Sequence, residues 1–200
     1  MKRVFYIKKL VYTATFVAFG ILFPMIIHVI PDAGRYLLPM HIPVLLCGLV
    51  CGWYCGAACG AITPLLSWLF TSRPMLPMLP SMIPELAVYG AVAGLLYHFI
   101  KTKRPFADLY ISLIGAMLAG RLAFGAINGF IFPADNYSLE IWATAAFVTA
   151  LPGIVIQILL VPSLVVTLEK AKLIPQRHAV ASKSDNGSAK EAEAAHIREF

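Results

Sequence analysis

The chain has 200 residues, of which 60% are hydrophobic and 13% are charged, and its formal net charge is +6. Soluble proteins average roughly 45–50% apolar and about 25% charged residues, so this composition excludes an ordinary soluble domain and indicates an integral membrane protein. The basic residues flank apolar segments and form no single stripe, which argues against a nucleic-acid partner.

Six long apolar segments follow one another along the chain, and each is a candidate transmembrane helix. With the exception of Arg35, Arg73 and Arg121, the basic residues lie in the N-terminal flank, between segments four and five, and after segment six. Because positive charge in short flanks marks the cytoplasmic side, the pattern predicts an all-α, six-helix bundle with both termini cytoplasmic. The segments lie at about 10–30, 42–60, 61–72, 82–100, 109–132 and 141–168.

The predicted domain organisation is a six-helix transmembrane domain followed by a tail. Residues 1–174 contain all six apolar segments, whereas residues 175–200 are rich in Ser, Lys, Asp, Gly, Glu and Ala. A segment of that polarity buries too little apolar surface to fold alone, so the tail is predicted to be disordered and cytoplasmic.

Small residues recur at a spacing of four in the first three segments. Ala14 and Ala18 lie on one face of segment one. A Cys-Gly dipeptide occurs four times within residues 47–60. Residues 42–72 must form two crossings of reduced length, and we expect a tight turn between them near residues 52–56. Such a stripe of small residues lets transmembrane helices approach closely, so we interpret it as a packing seam rather than a metal or redox site. The four cysteines are Cys47, Cys51, Cys55 and Cys59.

Prolines predict two interruptions. The first is the loop at residues 71–80, which contains three prolines, and the second is Pro152-Gly153 near the middle of segment six. Met and Leu make the first loop apolar although it should face water. It either packs onto the helix ends or seals a pocket as a lid, and the sequence leaves both readings open. The lid residues would be Arg73, Met75, Leu76 and Met78.

Polar side chains inside the apolar segments are the candidate binding residues, because ionisable groups within a bilayer are costly and usually functional. Arg121 lies thirteen residues into segment five, near mid-membrane, with Asn128 on the same face, and Glu85 and Tyr89 share a face of segment four. Glu85 and Arg121 could also form a purely structural ion pair, and Trp68 and Trp142 could belong to an interfacial aromatic belt. The predicted substrate-binding set also includes His41, Trp68, Thr149 and Gln157.

Known catalytic motifs do not occur in the sequence. It lacks the phosphate-binding G-x-x-x-x-G-K-[ST] loop, the zinc motif H-E-x-x-H and the nucleophile motif G-x-S-x-G. We therefore expect no catalytic residue, metal or cofactor in this chain, and any ATP must be hydrolysed by another subunit. Two other classes stay open: an intramembrane enzyme that uses Glu85 and His41 as an acid–base pair, and a small channel.

The sequence resembles the substrate-specificity (S) components of energy-coupling factor (ECF) transporters, the vitamin importers of bacteria. The resemblance spans roughly residues 8–172 and rests on the size, the predicted topology and two local patterns. Ala14-Thr15-Phe16-Val17-Ala18 matches the Ala-xxx-Ala signature of helix one. Met40-His41-Ile42-Pro43, at the start of helix two, runs into a glycine-rich seam as in these proteins.

The resemblance implies a multi-pass subunit of the bacterial cell membrane that binds a small vitamin. It would dock through Ala14 and Ala18 on a transmembrane coupling subunit, which carries two ATPase subunits. The family's ligand lies near the outer face between helices four to six, under loops that correspond here to residues 32–39 and 71–80. A buried arginine suits a carboxylate, which favours pantothenate, whereas Glu85 would suit pyridoxine or a hydroxymethylpyrimidine.

Overall fold

The computed structural model describes residues 2–27, 37–100, 102, 104–131 and 139–171, and the regular elements of this part are all helical. The fold is therefore the all-α membrane bundle that the sequence predicts. The helices are α1 (Lys2–Ile27), α2 (His41–Cys51), α3 (Trp53–Thr71), α4 (Leu79–Phe99), α5 (Pro105–Ala126), α6 (Leu139–Ala143) and α7 (Leu151–Lys170).

Five of the helical stretches are long and apolar enough to cross a membrane, and α2 is a shorter apolar helix. The 11 residues of α2 extend about 16 Å, roughly half of a bilayer core of about 30 Å. Its first residue, His41, is only 2% exposed. Because α2 is short, its first turn lies within the packed bundle, and the polar side chain of His41 is buried there.

The turn between α2 and α3 is a single glycine. Gly52 has a φ of +97°, a conformation that side chains with a Cβ rarely adopt, and its N–H donates to the carbonyl of Gly48 over 3.0 Å. The turn predicted near residues 52–56 is confirmed at its first residue, and Gly56 already belongs to α3.

Helix α4 is the central element and packs against α2, α3 and α5. A Cβ atom on Gly48 or Gly56 would collide with the backbone carbonyl of Gly90, and one on Gly60 would collide with that of Leu86. The predicted packing seam is therefore present. Its glycines, rather than its cysteines, set the distance of α2 and α3 from α4. The free cysteines of the seam fill the space beside them, with Cys47, Cys51 and Cys59 buried and Cys55 half-buried.

Several helices begin earlier than the apolar segments predict. Helix α1 starts at Lys2 and not near residue 10, and α3 starts at Trp53 and not near residue 61. Helix α4 starts at Leu79 and not near residue 82, with Pro80 in its first turn, after a 3₁₀ turn over Leu76–Met78. Helix α5 starts at Pro105, and the Asp108 carboxylate accepts hydrogen bonds from the backbone N–H and the hydroxyl of Thr102. The prediction that prolines keep residues 76–80 out of a helix is wrong, because a first-turn proline sacrifices no helical hydrogen bond.

The break in segment six is displaced from its predicted position at Pro152-Gly153. The irregular part is a π-helical turn over Thr144–Thr149, and Pro152 lies in the first turn of α7. A second π turn, over Ile127–Ile131, continues α5. The proline thus follows the interruption instead of causing it within a continuous helix.

Several sequence predictions fall outside the described residues. These are the tail and the domain boundary at 174/175, most of the first predicted outer loop, and the loop at residues 133–138. The membrane orientation of the termini also stays a prediction.

Candidate functional site

A buried ion pair joins α4 to α5. The Nη1 atom of Arg121 lies 3.3 Å from Oε1 of Glu85, and the two residues are 7% and 3% exposed. Glu85 follows Leu79 by six residues, which places it about 9 Å from the start of α4, and Arg121 is five residues from the end of α5. Because α4 and α5 are neighbours joined by a short link, these positions meet in one layer of the bundle.

His41 adds a third polar group to the same carboxylate. Its Nε2 atom lies 3.7 Å from Oε1 of Glu85, which is beyond hydrogen-bond length. The imidazole packs edge-to-face on the ring of Tyr89, with ring centroids 4.8 Å apart at an angle of 89°. The polar cluster therefore consists of His41 on α2, Glu85 and Tyr89 on α4, and Arg121 on α5.

Several buried atoms of the polar cluster lack a hydrogen-bond partner within the described part of the chain. They are Nε and Nη2 of Arg121 and both ring nitrogens of His41. An unsatisfied buried polar group costs about 1–3 kcal/mol, so four such atoms in one layer make the polar cluster a candidate ligand site. Nε and Nη2 form one edge of the guanidinium, the geometry that grips two carboxylate oxygens in parallel.

Trp142 belongs to this site, although its position at a helix end favoured an interfacial role. Its indole Nε1–H donates to the backbone carbonyl of Arg121 over 3.3 Å, and the ring occupies the space beside Gly125. Gly120 leaves corresponding space for the ring of Tyr89. In the sequence, the signal for these ring contacts is the pair of glycines that flank Arg121, because each leaves room for an aromatic ring.

The other four predicted binding residues are not joined to the polar cluster by the hydrogen bonds and ion pairs found among described residues. The Asn128 amide donates to the carbonyl of Phe124 over 2.9 Å within its own helix. Trp68 is 36% exposed on α3, and Thr149 ends the π turn half-buried. Gln157 is fully buried on α7, and its amide nitrogen and oxygen have no hydrogen-bond partner there.

The predicted lid and docking residues lie at the surface. Met75, Leu76 and Met78 are exposed, as is Arg73, while the adjoining Leu79 is buried. Ala14 and Ala18 are exposed on one face of α1. These positions leave the lid and docking roles as predictions, with the side chains available to cover a ligand or contact a partner.

The comparison with protein families agrees with this architecture. A family model described as ECF transporter, substrate-specific component, matches residues 8–165, from the second turn of α1 into α7. No curated protein and no solved structure matches the chain. The matched range contains every member of the polar cluster and most of the helical bundle. The chain therefore belongs to the family of substrate-specific components of ECF transporters.

Proposed function

We propose that this membrane subunit captures a small, water-soluble vitamin that carries a carboxylate, with pantothenate as the favoured substrate. It does so at the outer face of the cell membrane, with both termini in the cytoplasm. The importer is ATP-driven, and hydrolysis takes place on partner subunits.

The free edge of the Arg121 guanidinium carries the proposal. Only Nη1 is engaged, by a single contact with Glu85, while Nε and Nη2 are buried without a partner in the described structure. A ligand carboxylate would accept both N–H groups in parallel, which restores the hydrogen bonds that burial removes. A lysine could not offer this planar pair of donors.

A second candidate is a neutral, nitrogen-containing ring such as pyridoxine or a hydroxymethylpyrimidine. It is favoured by His41, whose two buried ring nitrogens have no hydrogen-bond partner among the described groups and lie beside the acceptor Glu85. A heterocycle with both donors and acceptors could satisfy them. This ligand would leave the Arg121 edge without a carboxylate, which is why it ranks second.

Family membership supports the proposed partners. The subunit would dock on a transmembrane coupling subunit with two ATPase subunits, using Ala14 and Ala18, whose exposure on α1 supports this role. The segment with Arg73, Met75, Leu76 and Met78 would cover bound ligand. Transport-family membership also favours binding over intramembrane acid–base catalysis by Glu85 and His41.

The test is a binding panel with the purified full-length protein. Pantothenate, pyridoxine and hydroxymethylpyrimidine are titrated by isothermal calorimetry, and small molecules that co-purify are identified by mass spectrometry. We expect pantothenate to bind most tightly. Tightest binding of either ring compound would support the second candidate, and turnover of a lipid or peptide would instead support an enzyme.

A further inference from the structure

Glu85 and Arg121 balance one another's charge in the polar cluster before any ligand binds. Glu85 contributes one negative charge and Arg121 one positive charge, and a neutral imidazole at His41 adds none. All three side chains are less than a tenth exposed. Net charge in such a place is unfavourable, because few solvent dipoles are near enough to stabilise it.

A ligand carboxylate would upset this balance. It would bring a second negative charge to within contact of Arg121, whose single positive charge cannot neutralise two carboxylates. Glu85 Oε1 lies between Nη1 of Arg121 at 3.3 Å and Nε2 of His41 at 3.7 Å. The ligand takes the free Nε–Nη2 edge of Arg121 and leaves Nη1 on Glu85, so two carboxylates share one positive charge. His41 is the neighbour of Glu85 that can supply a second positive charge, in its protonated form.

Among the described residues, no other ionisable group on α1 or α3 can supply a positive charge beside Glu85. On α1 the ionisable groups occupy the half near Lys9, whose Nζ lies 3.8 Å from the position of a Cβ on Gly52. On α3 they are Tyr54, Cys55 and Cys59, in the turns that follow Gly52. Gly52 adjoins the last residue of α2, so Lys9 lies about 15 Å along the helix from His41. Tyr54, Cys55 and Cys59 gain no positive charge on protonation.

The remaining ionisable groups also cannot place a positive charge beside Glu85. On α2 itself they are Cys47 and Cys51, further along the helix, and on α7 they are Glu169 and Lys170, in its last turn. On α4, Tyr97 and His98 lie about 18–20 Å along the helix from Glu85. Tyr89, which touches His41 on α4, gains no positive charge on protonation. Arg73 is a permanent cation but is exposed.

We propose that His41 is the specificity-determining residue that admits an acid, because it takes up one proton as the ligand carboxylate binds. This inference rests on the proposed function, since a neutral ligand requires no added charge. The protonated imidazole then pairs with Glu85 while Arg121 grips the ligand. The site thus selects a carboxylate together with a proton.

The experiment is calorimetric titration of the full-length protein with pantothenate at pH 6, 7 and 8. Each titration is made in two buffers of different ionisation enthalpy, which counts the protons taken up. The ligand stays ionised throughout, since carboxyl groups titrate near pH 4. We expect uptake approaching one proton where free His41 is neutral, with affinity falling up to about tenfold per pH unit as pH rises. The alcohol analogue of pantothenate should bind without either effect.

Three variants assign the proton. His41→Gln should lose proton uptake and bind pantothenate at pH 6 as weakly as the wild type does at pH 8. His98→Gln, an exposed histidine at the end of α4, is the matched control and should behave as wild type. If Glu85 takes the proton instead, His41→Gln will retain uptake and Glu85→Gln will lose it, which overturns the assignment.

The remaining outcomes are equally informative. Tight pantothenate binding with no proton uptake from pH 6 to 8 would overturn the inference and leave the proposed function intact, with a permanent cation such as Arg73 supplying the charge. Failure of the folded wild type to bind pantothenate at any of the three pH values would reject the proposed substrate, and this inference with it.

Discussion

At the scale of single residues, Trp142 positions Arg121 through the backbone rather than through the guanidinium. Its indole donates to the Arg121 carbonyl and fills the space at Gly125. We expect Trp142→Phe to weaken pantothenate binding by about 0.5–1.5 kcal/mol, the worth of one hydrogen bond, while the bundle stays folded. Trp68→Phe is the control, since Trp68 is partly exposed and should tolerate the change. Equal affinities for Trp142→Phe and wild type, measured by calorimetry, would rule out this role.

The Glu85–Arg121 pair has a separate effect on stability. Removal of one partner leaves an unpaired buried charge, so Glu85→Gln and Arg121→Gln should each destabilise the protein by about 3–5 kcal/mol. The double variant should recover much of the loss in a thermal unfolding assay, because neither charge remains. It should nevertheless fail to bind pantothenate. Recovery of binding in the double variant would show that the pair is only structural.

At the scale of helices, the glycine seam fixes the distance between α3 and α4. A Cβ on Gly90 would collide with the backbone of Gly56, which cannot move aside, whereas one on Gly115 would meet only the end of the Leu96 side chain. We expect Gly90→Ala to lower the unfolding free energy by about 1–3 kcal/mol and Gly115→Ala to have little effect. Similar melting temperatures for the two variants would contradict the seam.

Which elements could be predicted depends on the kind of signal each one leaves. Continuous apolar segments indicate helices directly, and the cost of burying Glu85 and Arg121 singled out both residues. The helix starts at Leu79 and Pro105 differ from the prediction, since a proline in the first turn, here Pro80 or Pro105, is taken for a helix breaker. The role of Trp142 was missed because only tertiary structure places a ring against Gly125, two elements away.

At the scale of the whole molecule, docking and ligand binding should be separable. Ala14 and Ala18 are exposed on α1, whereas the polar cluster is formed by α2, α4 and α5. We expect Ala14→Trp or Ala18→Trp to abolish vitamin uptake by whole cells while the purified subunit still binds ligand, because a bulky residue separates helices at a close contact. Loss of both activities together would mean that these alanines pack within the subunit.

The predicted topology brings the ligand to the cluster from outside and the ATPase subunits to the inner side. The proposed substrate depends on one contact, between the Arg121 guanidinium and a ligand carboxylate. The most direct measurement is a double cycle by calorimetry, in which wild type and Arg121→Ala are each titrated with pantothenate and with its alcohol analogue. Arg104→Ala, which changes an exposed arginine before α5, controls for net charge.

We predict that Arg121→Ala weakens pantothenate binding by about 2–5 kcal/mol, as expected for a desolvated charged contact, and weakens binding of the alcohol much less. Arg121→Lys should lie between, because it keeps the charge but not the paired donors. Equal losses for pantothenate and the alcohol would contradict the proposed contact between Arg121 and the carboxylate. Unchanged pantothenate affinity in folded Arg121→Ala protein would also contradict it.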